Sequence, residues 1–331
     1  MPFRSAAALL SLSLLGLTGP GPAFGGTLSA NSQFVREVAL AATATTLSSV
    51  QPPLQRVLSD PPGAHTSSTM LPKYCNARFH PQYIAKPVPC SFGDSTSPTV
   101  IVLVGSSHAG MWLRAAIDVA NREHISLKAF IYTSCVPIIA ASNQNSFNPT
   151  DPRVTPTTCA TWNASVGAAI TALKPTAVFV GSGTEISTVG KAHTQWVRGM
   201  TSFLATIHVD RKFIIGATPH ISPAVDAAQC LINHPTRIEP CITVVSLLNP
   251  QDLTTSMLNA DKEVAAVSNA TLIDVTSLLC TSPTRATKTM RCPPVIDGRL
   301  VYVNGSHLTI NFTTHIEGFL QPIFEDVANN A

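Results

Sequence analysis

After about residue 99 the chain alternates two hydrophobic patterns. Short, largely apolar runs at 100–104, 127–132, 177–180, 213–216 and 271–275 are separated by stretches whose apolar positions recur at helical spacing. Runs of this kind suit strands buried on both faces of a parallel sheet; a strand with one wet face would alternate instead. The helical patterns fall at 108–122, 160–173, 191–207 and 252–268, with a last one near 314–328. Strand–helix alternation predicts an α/β fold: a doubly wound, flavodoxin-like, three-layer α/β/α sandwich with a central parallel sheet and right-handed crossovers. Ligands of such sheets bind beyond the carboxyl ends of the strands. That rule points to residues 105–108, 133–135, 181–184 and 218–220.

The first hundred residues read differently. Arg4, an apolar stretch over 6–17 and small residues up to Gly25 predict a signal peptide at 1–25. The apolar stretch falls short of the roughly 20 residues a membrane span needs, and an uncleaved anchor is the alternative. Phe34, Val35, Val38, Ala39 and Ala42 predict a helix within 31–48, and 51–73 is a Pro/Ser/Thr-rich linker. Residues 26–97 are thus expected to form a helix and a wrapping segment around a domain at 98–331. A polar, proline-containing insertion at 141–158 lies at the expected ligand edge.

Composition narrows the function classes. Only 12% of residues are charged and the formal net charge is +3, against roughly 25% charged in an average soluble domain. No Lys/Arg cluster or basic–aromatic stripe is present, which argues against nucleic acid as a partner. All eight cysteines follow the signal region, in order as near neighbours: Cys75 and Cys90, Cys135 and Cys159, Cys230 and Cys241, Cys280 and Cys292. An even count in an exported chain predicts disulfides, each worth about 2–4 kcal/mol. Eight cysteines allow 105 complete pairings, so the connectivity stays open. No Cys-x-x-Cys pair occurs and the histidines are scattered, so neither zinc nor any other metal or cofactor is expected.

The candidate chemistry begins at Gly105-Ser106-Ser107-His108, between a buried strand and a helix with Met111, Trp112, Ala115 and Ala116 on its apolar face. A serine at that junction is lifted above the sheet beside the free N–H groups of a helix start; a plain N-cap serine is the competing reading. The run resembles the Gly-Asp-Ser-His block that opens SGNH (GDSL-like) hydrolase and acyltransferase domains, of the variety associated with acyltransferase-3 membrane proteins. Cys90-Ser-Phe-Gly-Asp94, Thr133-Ser-Cys135-Val-Pro137, Cys159-Ala-Thr-Trp162, Lys174-Pro175, Leu272-Ile-Asp274, Leu279-Cys280, Cys292-Pro and Val301-Tyr302-Val-Asn304-Gly-Ser-His307-Leu-Thr309 extend the resemblance in order from about Cys75 to the C-terminus.

The resemblance implies that Ser107 is an acyl-accepting nucleophile and that His307 is its general base. An oxyanion hole in this chain would depend on the Ser107 N–H plus backbone near Ser134 or Gly183. Two departures stand out. Asn304 occupies the place of the family's triad aspartate, and Ser106 replaces the aspartate of the first block. Gly181-Ser182-Gly183-Thr184, moreover, lacks the family's oxyanion-hole asparagine. These leave open a slow Ser–His–Asn enzyme, a substitute carboxylate such as Asp297, or an inactive glycan- or partner-binding protein of the same fold. The implied activity is O-acyl transfer to, or O-acyl ester hydrolysis of, cell-envelope glycans. The expected setting is secreted, periplasmic or on the outer face of the cytoplasmic membrane, with a membrane acyltransferase as a partner. His108 is expected to be a local structural hydrogen-bonder.

Overall fold

The computed structural model describes residues 27–28, 32–47, 49–60, 64–65, 76–139, 152–181, 183, 191–221, 226–249, 251–283, 286 and 288–331. The expected signal peptide, Cys75 and most of the insertion lie outside them. The strands are β1 (Thr27–Leu28), β2 (Cys90–Gly93), β3 (Val100–Gly105), β4 (Ser126–Ile131), β5 (Ala177–Gly181), β6 (Lys212–Ile215), β7 (Thr243–Ser246), β8 (Thr271–Ile273), β9 (Thr289–Cys292), β10 (Val295–Ile296) and β11 (Arg299–Leu300). The helices are α1 (Ser32–Thr43), α2 (Leu54–Ser59), α3 (Gln82–Ala85), α4 (Ser107–Gly110), α5 (Leu113–Arg122), α6 (Pro156–Ala172), α7 (Lys191–Ala205), α8 (Ala227–Asn233), α9 (Leu253–Val267), α10 (Ile310–His315) and α11 (Gln321–Asn329).

Seven strands form the main sheet in the order β1-β8-β6-β5-β3-β4-β2. All neighbours pair in parallel except β2, which runs antiparallel to β4. From β3 the chain steps outward to β4, then returns to the other side of β3 for β5 and continues to β6. The strand order therefore reverses between β3 and β5, and a crevice opens at that switch point beyond the carboxyl ends. The next residues there are Ser106 and Ser107 after β3, and Gly183 after β5.

Each central strand feeds two cores. Ile101, Leu103, Phe179, Phe213 and Ile215 face the layer that contains α1, α5, α10 and α11. Their alternates Val102, Val104, Val178, Val180 and Ile214 face α6, α7 and α9. Period-two alternation between two apolar layers explains why these strands are apolar at both odd and even positions. The α/β/α sandwich is thus as expected from the sequence.

Boundaries differ where local chemistry overrides the pattern. The helix expected over 108–122 is two pieces, α4 and α5, and the last helix is split into α10 and α11 by a 3-10 turn at Glu317–Phe319. α6 starts earlier than expected, because Thr155 and Thr158 form a reciprocal capping box around Pro156 at the first turn. α1 buries Phe34, Val38 and Ala42, while Ala39 is exposed. The segment before residue 98 does more than wrap: β1 and β2 are the two edges of the main sheet. Cys135–Cys159, Cys230–Cys241 and Cys280–Cys292 form disulfides between the neighbours in sequence. Cys90 is also disulfide-bonded.

Candidate active site

The height of Ser107 above the sheet is set by two glycines. Gly105 has φ 146°, and a Cβ there would lie 3.0 Å from Ala109 Cβ and 3.1 Å from the Gly181 carbonyl oxygen. Gly181, its register partner on β5, would place a Cβ 2.5 Å from Ala109 Cα. α4 can therefore settle directly onto β3 and β5 only because both positions lack side chains. Ser106 caps α4, its Oγ accepting from the His108 N–H at 3.3 Å. Ser107 is the first residue of the helix and is half-buried.

His307 arrives from a turn 200 residues away in sequence. Tyr302 bridges Leu308, and the Val303 N–H donates to the His307 carbonyl at 2.8 Å, closing the turn. The side-chain oxygen of Asn304 accepts from the backbone N–H of Ser306 (3.1 Å) and of His307 (3.0 Å), and lies 3.1 Å from His307 Nδ1. Two backbone donors require an acceptor, so the amide oxygen faces them and Nδ1 must carry the proton. Nε2 is left with its lone pair, and it lies 2.8 Å from Ser107 Oγ. A neutral imidazole in this tautomer accepts the hydroxyl proton, the requirement for activating a serine.

Of the expected oxyanion donors, Ser134 follows β4 with φ 67° and Gly183 follows β5 in a buried position. The N–H groups of Ser107, Ser134 and Gly183 make no hydrogen bond among the described residues. Ser182 and Thr184 lie outside those residues. Asn76, for which the sequence offered no signal, is buried and holds the turn before Ser134: its Nδ2 donates to Thr133 Oγ1 at 3.1 Å. Asp297 stands apart from this chemistry as an expected substitute acid. It occupies the β10–β11 turn and pairs with Arg299.

Two further histidines flank the turn. His108, 1% exposed, hydrogen-bonds through Nε2 to Ser306 Oγ at 3.1 Å, and its ring centroid is 4.4 Å from that of His307. The expected local hydrogen bond is thus corrected: His108 reaches across the fold, to a residue 198 positions away. His220 is half-buried beside Gly305. Burial pushes its pKa down from 6.5, nearby Asp252 opposes that shift, and His108 adds to it. Among the described residues no group of three or more His, Cys, Asp or Glu side chains could hold a metal ion.

With the serine, histidine and amide in this order on this sheet, comparison with known proteins is decisive for the family. The family model for the SGNH domain (fused to AT3 domains) matches residues 74–322. The chain belongs to this family. Among solved structures, this SGNH chain is similar to the periplasmic domain of a lipopolysaccharide acetyltransferase from Salmonella ser. Paratyphi A. The likeness covers 88% of this chain and 96% of that one, at 12% identity and a TM-score of 0.48. At that distance it carries no conclusion about activity. No curated protein matches the SGNH chain.

Proposed function

We propose that this SGNH domain transfers or hydrolyses O-acyl esters on cell-envelope glycans. Ser107 is the nucleophile, His307 the general base and acid, and Asn304 the residue that orients it. The carrying observation is the 2.8 Å contact between Ser107 Oγ and an Nε2 whose tautomer is dictated by Asn304. In the first half-reaction Ser107 attacks the acyl carbonyl as His307 takes its proton. The tetrahedral oxyanion forms against the free N–H groups of Ser107, Ser134 and Gly183, and the leaving alcohol departs with the proton from His307. In the second, a sugar hydroxyl or water attacks the acyl-serine by the reverse sequence. No metal or cofactor takes part.

The disulfides support an oxidising compartment, and so a secreted or outer-face setting. No helix among the described residues is long and apolar enough to cross a membrane. A membrane acyltransferase that supplies the acyl group is the partner this reading assigns. Asn304 favours a second reading, a binding protein of the same fold with little turnover, because an amide cannot stabilise the imidazolium by charge. In a serine protease the corresponding Asp→Asn change lowers kcat by about 10⁴. Hydrolysis of p-nitrophenyl acetate by the wild type, Ser107→Ala and Asn304→Asp separates the two. Loss in the first variant and gain in the second supports the enzyme; equal rates in all three remove Ser107 as nucleophile.

A further inference from the structure

The sequence Ser-His occurs at both ends of the site, as Ser107-His108 and as Ser306-His307, and the fold cross-pairs them. Ser107 Oγ meets His307 Nε2 at 2.8 Å, and Ser306 Oγ meets His108 Nε2 at 3.1 Å. The two pairs are chemically alike but differ in access. Ser107 and His307 are half-buried, whereas Ser306 is 9% and His108 1% exposed. The inner pair is closed to substrate, so its work must be mechanical.

Every polar group of Ser306 is tied to a different part of the fold. Its N–H donates to Asn304 Oδ1, its carbonyl accepts from the Thr218 hydroxyl at 2.6 Å, and its own hydroxyl meets His108 on α4. The neighbouring Gly305 carbonyl accepts from the Ile221 N–H at 2.9 Å. The base-bearing turn is therefore pinned to the strand edge after β6 on one side and to the nucleophile's own helix on the other. We propose that His108 and Ser306 are positioning residues: their buried hydrogen bond locks the His307 turn to α4 and holds His307 Nε2 in register with Ser107 Oγ. This rests on the reading of Ser107 and His307 as the reacting pair. Asn304, an amide, orients the base without adding charge, and small displacements of a base cost large factors in rate.

The test uses Ser306→Ala, His108→Gln and the double variant of the mature chain, with kcat and KM for p-nitrophenyl acetate and ¹⁵N NMR of the His307 ring. Each single change is expected to lower kcat about tenfold with KM within about twofold. The double variant falls no further than the worse single, since both remove one shared bond. The His307 Nε2 resonance moves in every variant. Multiplicative losses, or an unchanged kcat, overturn the proposal. Should His108→Gln fail to fold, Ser306→Ala, which removes one hydroxyl, decides by the same criteria. Wild-type activity equal to that of Ser107→Ala would sink the esterase reading, but NMR still decides the lock: a shifted His307 resonance in Ser306→Ala supports it and an unmoved one overturns it.

Discussion

Two histidines of this protein have opposite company. His307 meets the hydroxyl of Ser107 and the side-chain oxygen of Asn304. His315, at the end of α10, meets Glu37 of α1 at 2.8 Å and Asp297 at 3.8 Å, with Phe34 edge-on to its ring. Clefts of about 250 and 730 Å³ adjoin this ionic group, with Asp297 lining both. A carboxylate thus meets the histidine where α1 docks, whereas an amide oxygen meets Nδ1 of the histidine beside the serine. A carboxylate–imidazole contact here fastens an N-terminal helix, and an amide oxygen orients the histidine beside the serine.

The contrast can be broken most directly at Ser107. Ser107→Ala should lower p-nitrophenyl acetate hydrolysis about 10³-fold or more while leaving the urea midpoint nearly unchanged, because the half-buried side chain gives up a single hydrogen bond. Supplying the missing charge should have the next largest effect. Asn304→Asp puts a carboxylate where one oxygen already accepts from two backbone N–H groups and His307 Nδ1, so no contact is lost. Steady-state kcat should rise by at least about tenfold, with about 10⁴ as the ceiling. A flat response would mean that the Ser107–His307 pair does not limit turnover.

On the ionic side, Glu37→Gln should leave ester hydrolysis unchanged and reduce stability by no more than about 1 kcal/mol in urea denaturation, the range of partly exposed pairs. A loss of activity there would mean that the two regions are coupled. The smallest effect is expected from pH. His220 has a folded pKa below its ordinary 6.5, so the unfolded chain binds more protons than the folded one as pH falls below about 6.5. Stability is retained above that value and erodes beneath it, down to the folded pKa. His220→Asn should show a shallower fall in Tm between pH 7 and pH 5.

The sequence made the central strands legible because burial on both faces leaves no room for polar residues. β2 was hidden: Cys90-Ser-Phe-Gly93 is an antiparallel edge strand with exposed and half-buried positions, and edge strands escape the pressure that writes apolar runs. The start of α6 was hidden by Pro156, which reads as a breaker although it serves as the first helical residue. At the site, Ser107, Asn304 and His307 were found through family likeness, and the structure brings them together. Ser306 was not found. A serine in a turn acquires meaning only from the histidine it meets 198 residues away, and neither periodicity nor spacing encodes that pairing. Asn76 escaped for the same reason, its partner Thr133 lying 57 residues on.

The bare positions at Gly105 and Gly181 have an evolutionary consequence. A methyl group at 181 would strike the backbone of the nucleophile's helix at 2.5 Å, so drift at that position is punished through folding, whether or not the serine reacts. Asn304 sits at the exposed rim instead, and the three contacts of its turn all run through one side-chain oxygen, which an aspartate also carries. One exchange at that rim would change the charge beside His307 while the platform beneath stays fixed.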